Sequence, residues 1–242
     1  MIQNIANTKT KLKELKKCVN AQKELACHRD NLFNRHYTRL LSLFSDLQVT
    51  VNRLDENTKK IDPITNIIQF KNLEEDRFFI SDEGQKLRNE WVKLSLKMQT
   101  DLKALYLFSK IFIDDFVGLV VLILDIKNKG ILFTTKQGGY SVGVFYRSLI
   151  KYSGTNMVIR DFIIQNLDVL KAVEVYLSAY RNNYIQHLDT TGVKETKWTS
   201  HSHDGSIKFL GSRSSLTPKE LTFVVHGCIE KIINFILEMR LK

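Results

Sequence analysis

Residues 159–190 read IRDFIIQNLDVLKAVEVYLSAYRNNYIQHLDT and carry the clearest helical pattern in the chain. Apolar side chains recur there every three or four residues from Ile163 to Leu188, and neither glycine nor proline interrupts them. This spacing predicts one amphipathic helix whose apolar side faces a core. Arg181 and His187 fall on or beside that apolar side, where polar groups need partners. The pattern therefore predicts a long core helix with its most unusual residues near its end.

The composition predicts a globular, mostly helical protein. Of 242 residues 43% are hydrophobic, which is enough for a core, whereas only 2 Pro and 11 Gly are present. Long periodic segments outnumber short alternating ones, so we expect an all-α fold. The formal charge of +10 indicates attraction to polyanions without saying to which one.

The cysteines and the apolar segments indicate where in the cell the protein is expected. Three cysteines without a CxxC pair disfavour a disulfide framework or a zinc ribbon, and they fit a reducing cytoplasm. Residues 1–10 lack the apolar core of a signal peptide. The strongest candidate for a membrane span, residues 105–124, is interrupted by Lys110, Asp114 and Asp115. We therefore expect a cytoplasmic protein without a membrane partner, in which this segment is a buried helix.

The chain is predicted to have three parts. Residues 8–60 repeat with a helical period, which predicts one long helix or two shorter helices in a coiled-coil-like N-terminal extension, residues 1–62. Its excess of basic residues fits either a solvated helix face or a nucleic-acid surface. Pro63 is expected to end this region, and residues 63–87 are expected to form an irregular linker with a break at Gly84. Residues 88–242 would then form a second helical domain.

Helical patterns continue through the second domain. Residues 85–127 predict a central core helix, followed by turns at the glycines near 130 and 138 and a helix over 140–152. Thr155 or Asn156 is available to cap the helix that follows. Asp204 and Gly205 predict the turn of a small β-hairpin inserted before the last helix, which starts at Pro218.

Asp114 and Asp115 raise the question of a metal site. Adjacent residues on a helix point about 100° apart, so the pair is poorly placed to bind one ion. We expect solvent exposure or ion pairing instead. No metal or other cofactor is expected.

The end of the helix over 159–190 resembles the signature of the HEPN superfamily. That signature is an arginine followed, after four to six residues, by a histidine, often with a polar residue directly after the arginine. Arg181, Asn182 and His187 match it, on a late helix followed by one more helix. A second match runs from Arg29 to His36, and the later match is preferred because it ends the most apolar helix.

The chemistry of these residue types fits RNA cleavage without metal. Histidine can donate or accept a proton near neutral pH, and arginine offers a fixed planar cation suited to phosphate oxygens. The resemblance implies an all-α helical bundle, a homodimer with one cleft built from two motifs, and often a ribonuclease of toxin or defence type. His187 would then be the general acid or base, Arg181 the phosphate stabiliser and Asn182 a supporting residue. The resemblance also implies a possible antitoxin or another protein partner.

Further residues are candidates for contacts with RNA. They are polar or aromatic side chains near the motif or on the predicted hairpin: Asn183, Tyr184, His201 and His203. The two histidines alone make a weak metal site. The main alternative is a non-catalytic helical binding or scaffolding protein that uses the same helix as a dimer or partner surface. Arg181 and His187 would then interact with the negative end of the helix dipole.

Overall fold

Two long helices pack side by side. Helix α2 spans Asn31–Glu74 and helix α3 spans Asp82–Ile123. They are antiparallel, because side-chain contacts between them run in opposite directions along the two helices. Arg53 Nη2 lies 2.7 Å from Asp101 Oδ1, and Trp91 Nε1 donates to Thr65 Oγ1 at 3.0 Å.

Four further helices and a small sheet complete the described fold. A computed structural model describes residues 1–21, 31–74, 81–124, 134–135, 138–180, 199–201, 207–209 and 218–240. Within these ranges the other elements are α1 Ile2–Ala21, α4 Val142–Ile150, α5 Met157–Tyr180, β1 Thr199–His201, β2 Ile207–Phe209 and α6 Pro218–Arg240. The prediction of an all-α bundle is confirmed.

Helix α2 continues through the proline that was expected to end it. Pro63 lies inside the helix, and residues 64–74, expected to be irregular, are helical. Ile61 and Ile64 are both buried on either side of the proline, whereas Pro63 is exposed. Water can therefore satisfy the carbonyl group that the missing N–H of the proline leaves unpaired. The break predicted at Pro63 is wrong because the buried flanking residues hold the helix in place.

Helix α3 begins before the break predicted at Gly84, so that prediction is also wrong. Ser81 has an extended backbone, and its side-chain oxygen accepts a hydrogen bond from the backbone N–H of Gly84 at 3.1 Å. Asp82 and Glu83 in the first turn add negative charge where the helix dipole favours it. The division of the chain at 1–62, 63–87 and 88–242 stays a prediction, although the ends of the middle segment are helical.

The N-terminal and C-terminal helices meet in one core. Helix α1 packs against α6 and α2, and α5 packs against α6 and α4. Thr8 of α1 is fully buried, and its hydroxyl lies 3.0 Å from Nδ1 of His226 in α6. His226 also stacks near Phe44 of α2, with 6.3 Å between ring centroids. Side chains from the first helix and the last helix therefore share one hydrophobic interior.

Two short strands lie in the region of the predicted hairpin. Strands β1 and β2 pair antiparallel, with Ser200 opposite Lys208. The expected turn at Asp204 and Gly205 lies outside the described residues. None of the helices described is both long enough and apolar enough to cross a membrane.

Candidate functional site

The residues predicted to form the catalytic motif follow directly after the described part of α5. Helix α5 extends to Tyr180. Arg181, Asn182, Asn183, Tyr184 and His187 lie outside the described residues. His203 also lies outside them. His201 lies in β1, but the position of its side chain is outside the described part of the structure.

Helix α5 is held by the apolar side that the sequence predicts. Its start is capped, because the side-chain oxygen of Asn156 accepts a hydrogen bond from the N–H of Ile159 at 3.3 Å. Among the described side chains of α5, Leu170, Val173 and Leu177 of the predicted apolar side are buried, and Ile163 and Leu167 of that side are partly buried. Ile159 and Phe162 are also buried. The ring of Phe162 packs edge-on to Phe235 of α6, with 5.5 Å between centroids. Helix α5 is therefore fixed against the last helix up to the turn that precedes Arg181.

The opposite side of α5 carries exposed apolar residues. Met157, Ile164 and Val175 are exposed, and Ile164 is 79% exposed. They are seven and eleven residues apart, which places them on one side of a helix with 3.6 residues per turn. Asp161, Asp168 and Lys171 lie between them on the same line, so this α5 stripe is a mixed apolar and charged side of the helix.

A second polar cluster joins α2 to α3. Nδ1 of His36 lies 3.1 Å from Oδ1 of Asp115, and Nε of Arg39 lies 2.9 Å from the other oxygen of that carboxylate. The side chain of Asp115 is only 8% exposed, and that of His36 is 12% exposed. A buried carboxylate is stable only when it is paired and hydrogen-bonded. Asp115 therefore holds His36 by a hydrogen bond, whereas its contact with the exposed Arg39 is an ion pair in which Oδ2 accepts no hydrogen bond.

Asp114 is paired with a different cation. Lys110, one turn earlier on α3, contacts its carboxylate. Oδ1 of Asp114 also accepts a hydrogen bond of 2.8 Å from the N–H of Val142, the first residue of α4. Burial raises the pKa of Asp114, and Lys110 counteracts this effect. Ion pairing of Asp114 and Asp115, predicted in preference to a shared metal, is confirmed.

A glycine lets this cluster pack tightly. A Cβ atom on Gly118 would lie 3.1 Å from two ring atoms of His36 and 2.8 Å from Cδ2 of Tyr140. The rings of His36 and Tyr140 meet edge to face, with 5.3 Å between centroids. Tyr140 follows a tight turn in which Gly138 has a φ of 80°, as predicted for this glycine-containing segment.

The cluster borders a cavity of about 480 Å³. One wall is a stripe of α2 with Leu32, Arg35, His36 and Arg39, and α3 contributes Ile111, Asp114 and Asp115 to the other wall. Gly138, Gly139 and Tyr140 close one side. Nε2 of His36 is buried and has no hydrogen-bond partner among the residues described. As arranged, the histidine is a fixed wall of the cavity, whereas the arginines at the rim are in contact with solvent.

His36 belongs to the second, less preferred match to the HEPN spacing. Arg29, the arginine of that match, lies outside the described residues. Another feature of the sequence indicates the cavity. Arg35 and Arg39 are one turn apart on the helix that carries His36. Within the part of the chain described, no group of three or more His, Cys, Asp or Glu side chains is placed to hold a metal ion.

No protein-family model matches the sequence, and the comparisons with curated proteins and with solved structures find no match.

Proposed function

We propose that this protein is a metal-independent endoribonuclease of HEPN type, related to toxin or defence functions. Arg181 stabilises the phosphate, His187 acts as general acid or base, and Asn182 supports them. The observation that carries the proposal is the position of α5. This helix is packed on the final helix of an all-α bundle, and the motif follows directly after its residue Tyr180.

The chemistry of the motif supports the same proposal. Removal of the proton from a ribose 2′-hydroxyl requires a group that titrates near neutral pH, which histidine does. Charge that grows on the phosphate requires a fixed cation with planar donors, which arginine supplies. We propose that Asn183, Tyr184, His201 and His203 contact the RNA.

The exposed stripe of α5 supports a homodimer. Ile164 and Val175 present apolar surface on the helix that leads to the motif. A second copy of the chain packed on this side near Val175, the exposed apolar residue nearest to the motif, would bring two motifs close to each other, as the shared cleft of the proposal requires. Antitoxin binding, or binding of another protein partner, belongs to the same proposal.

Cleavage of total RNA in the presence of EDTA tests the enzyme. Wild-type protein is compared with Arg181→Ala and His187→Ala, and each variant is checked for helicity and for oligomeric state. We expect wild type to cut RNA and both variants to lose about 10²-fold or more in rate, the effect of removing a general acid or base. Arg88→Ala, an exposed arginine on α3, is the matched control and should cut like wild type.

The alternative is a non-catalytic binding or scaffolding protein that uses the α5 stripe as its contact surface. The exposure of Ile164 favours this alternative as much as it favours the enzyme. An inert wild type, or variants that cut as fast as wild type, would leave the scaffold as the function of this helix.

A further inference from the structure

The cavity between α2 and α3 has two arginines at its rim. Arg35 and Arg39 are four residues apart, so their side chains are neighbours on one face of α2. Like charges at this spacing repel each other unless an anion lies between or beside them. Asp115 contacts the guanidinium group of Arg39 at Nε, and this group has further N–H donors out of a total of five. The pair therefore retains donor capacity toward the cavity.

The charges around the cavity favour a small anion. The described side chains include three cations, Arg35, Arg39 and Lys110, and two carboxylates, Asp114 and Asp115. Lys110 pairs with Asp114, and Arg39 pairs with Asp115. Among the side chains that the structure describes, the charge of Arg35 is therefore not balanced by a carboxylate.

The remaining walls are suited to an organic group. Leu32 and Ile111 supply apolar surface, and the ring of Tyr140 lies at one side. A volume of about 480 Å³ is within the range of pockets that enclose whole small molecules, and inorganic phosphate alone would leave much of it empty.

We propose that this cavity binds a small phosphate monoester. The phosphate lies at the rim between Arg35 and Arg39, and the organic group lies against Leu32 and Ile111. A phosphate monoester carries at least one full negative charge near neutral pH, which matches the unbalanced charge of Arg35, and both guanidinium groups offer planar donors to its oxygens. Asp115 pairs with Arg39 at this rim, and Gly118 leaves room for the rings of His36 and Tyr140 against α3.

A continuous RNA strand fits the cavity less well than a single phosphate group. Asp114 and Asp115 line the inner wall, where they repel a chain of phosphates. A single terminal phosphate approaches only the arginines at the rim. The site is separate from Arg181 and His187, and it does not depend on the proposed ribonuclease activity.

Calorimetric titration of the full chain with phenyl phosphate tests the proposal. Phenyl phosphate is expected to bind with a Kd of about 1 mM or tighter, inorganic phosphate more weakly, and phenol not measurably. Arg35→Gln is expected to weaken binding about tenfold or more, because it removes a charged donor, and Arg35→Lys should retain part of the affinity. Arg88→Gln, an exposed arginine on α3 outside the cavity, is the matched control.

Each other outcome overturns the proposal. Absence of binding by phenyl phosphate to folded wild type rejects the site, and equal binding by phenol assigns the cavity to apolar ligands. If Arg35→Gln binds phenyl phosphate as tightly as wild type does, the phosphate lies at another site. Binding of a short RNA through Arg35, without binding of phenyl phosphate, makes the rim an RNA surface. Arg181→Ala and His187→Ala should bind phenyl phosphate like wild type, which separates this test from that of the ribonuclease.

Discussion

Gly118 on α3 and Tyr140 before α4 are packed so closely that a Cβ atom on the glycine would lie 2.8 Å from Cδ2 of the tyrosine. The same Cβ atom would lie 3.1 Å from two ring atoms of His36. Both rings are confined, because His36 is tied to Asp115 and Tyr140 follows a tight turn. The absence of a side chain at this position is therefore a condition for the close packing of the two rings on α3.

The first prediction concerns this contact. Gly118→Ala should destabilise the protein by about 1–3 kcal/mol through overpacking, reduced by up to about 1 kcal/mol because alanine favours helix. Gly227→Ala is the matched control, since Gly227 is exposed in α6 and a Cβ atom there would meet nothing within 4 Å. It should stabilise by about 0.5–1 kcal/mol. Urea unfolding measures both, and equal effects of the two changes would show that the close approach at Gly118 has no energetic role.

The second prediction concerns the buried hydroxyl that joins α1 to α6. Thr8 Oγ1 lies 3.0 Å from Nδ1 of His226 and 2.9 Å from Oε1 of Glu230. Thr8→Val keeps the shape but leaves the ring nitrogen without its partner, so we expect a loss of about 1–3 kcal/mol. Thr10→Val on the exposed side of α1 should change stability by less than about 0.5 kcal/mol. Thermal and urea unfolding of both variants would reject this role of Thr8 if their stabilities were equal.

Local periodicity predicts the helices well where burial decides the structure. Leu170, Val173 and Leu177 of α5 recur at the predicted spacing, and all three are buried. Pro63 shows the limit of a local rule, because long-range burial of Ile61 and Ile64 outweighs the lost hydrogen bond. A helix boundary therefore follows from the sequence only when the tertiary contacts agree with the local preference.

The cavity illustrates a second limit. His36 appears in the sequence as part of a short motif, but its partner Asp115 is 79 residues away on the antiparallel helix. No spacing rule within one helix identifies such a pair. The ion pairing of Asp114 and Asp115 is predictable from the helix geometry, whereas the identity of their partners depends on the register between α2 and α3.

The third prediction is a pH dependence from His226. Burial lowers the pKa of His226 from 6.5 to about 4. Between these values the unfolded chain binds more protons than the folded chain, so stability is lost as the pH falls from about 6.5 toward 4. By linkage this loss is about 2–3 kcal/mol between pH 7 and pH 4.5.

His226→Gln isolates this effect from the other titrating groups. The variant should lose less stability than wild type over the same pH range, since its side chain does not titrate. Burial raises the pKa of Asp101 and of Asp114, and these groups titrate in both proteins. Urea unfolding of wild type and variant from pH 7 to pH 4.5 measures the difference. Parallel curves would show that folding does not change the pKa of His226.

The fourth prediction concerns the exposed stripe of α5. If two chains pack near Val175, a positive charge there is buried without a partner, because Lys171 and Ala172 are the residues one turn before it, and this costs several kcal/mol. Val175→Lys should therefore weaken dimerisation about tenfold or more without unfolding the bundle. Leu96→Lys, at an exposed apolar position of α3, is the control and should dimerise like wild type. Sedimentation equilibrium measures both. A wild type that is monomeric at every concentration contradicts the shared cleft, and a dimer that Val175→Lys leaves intact places the contact on another surface.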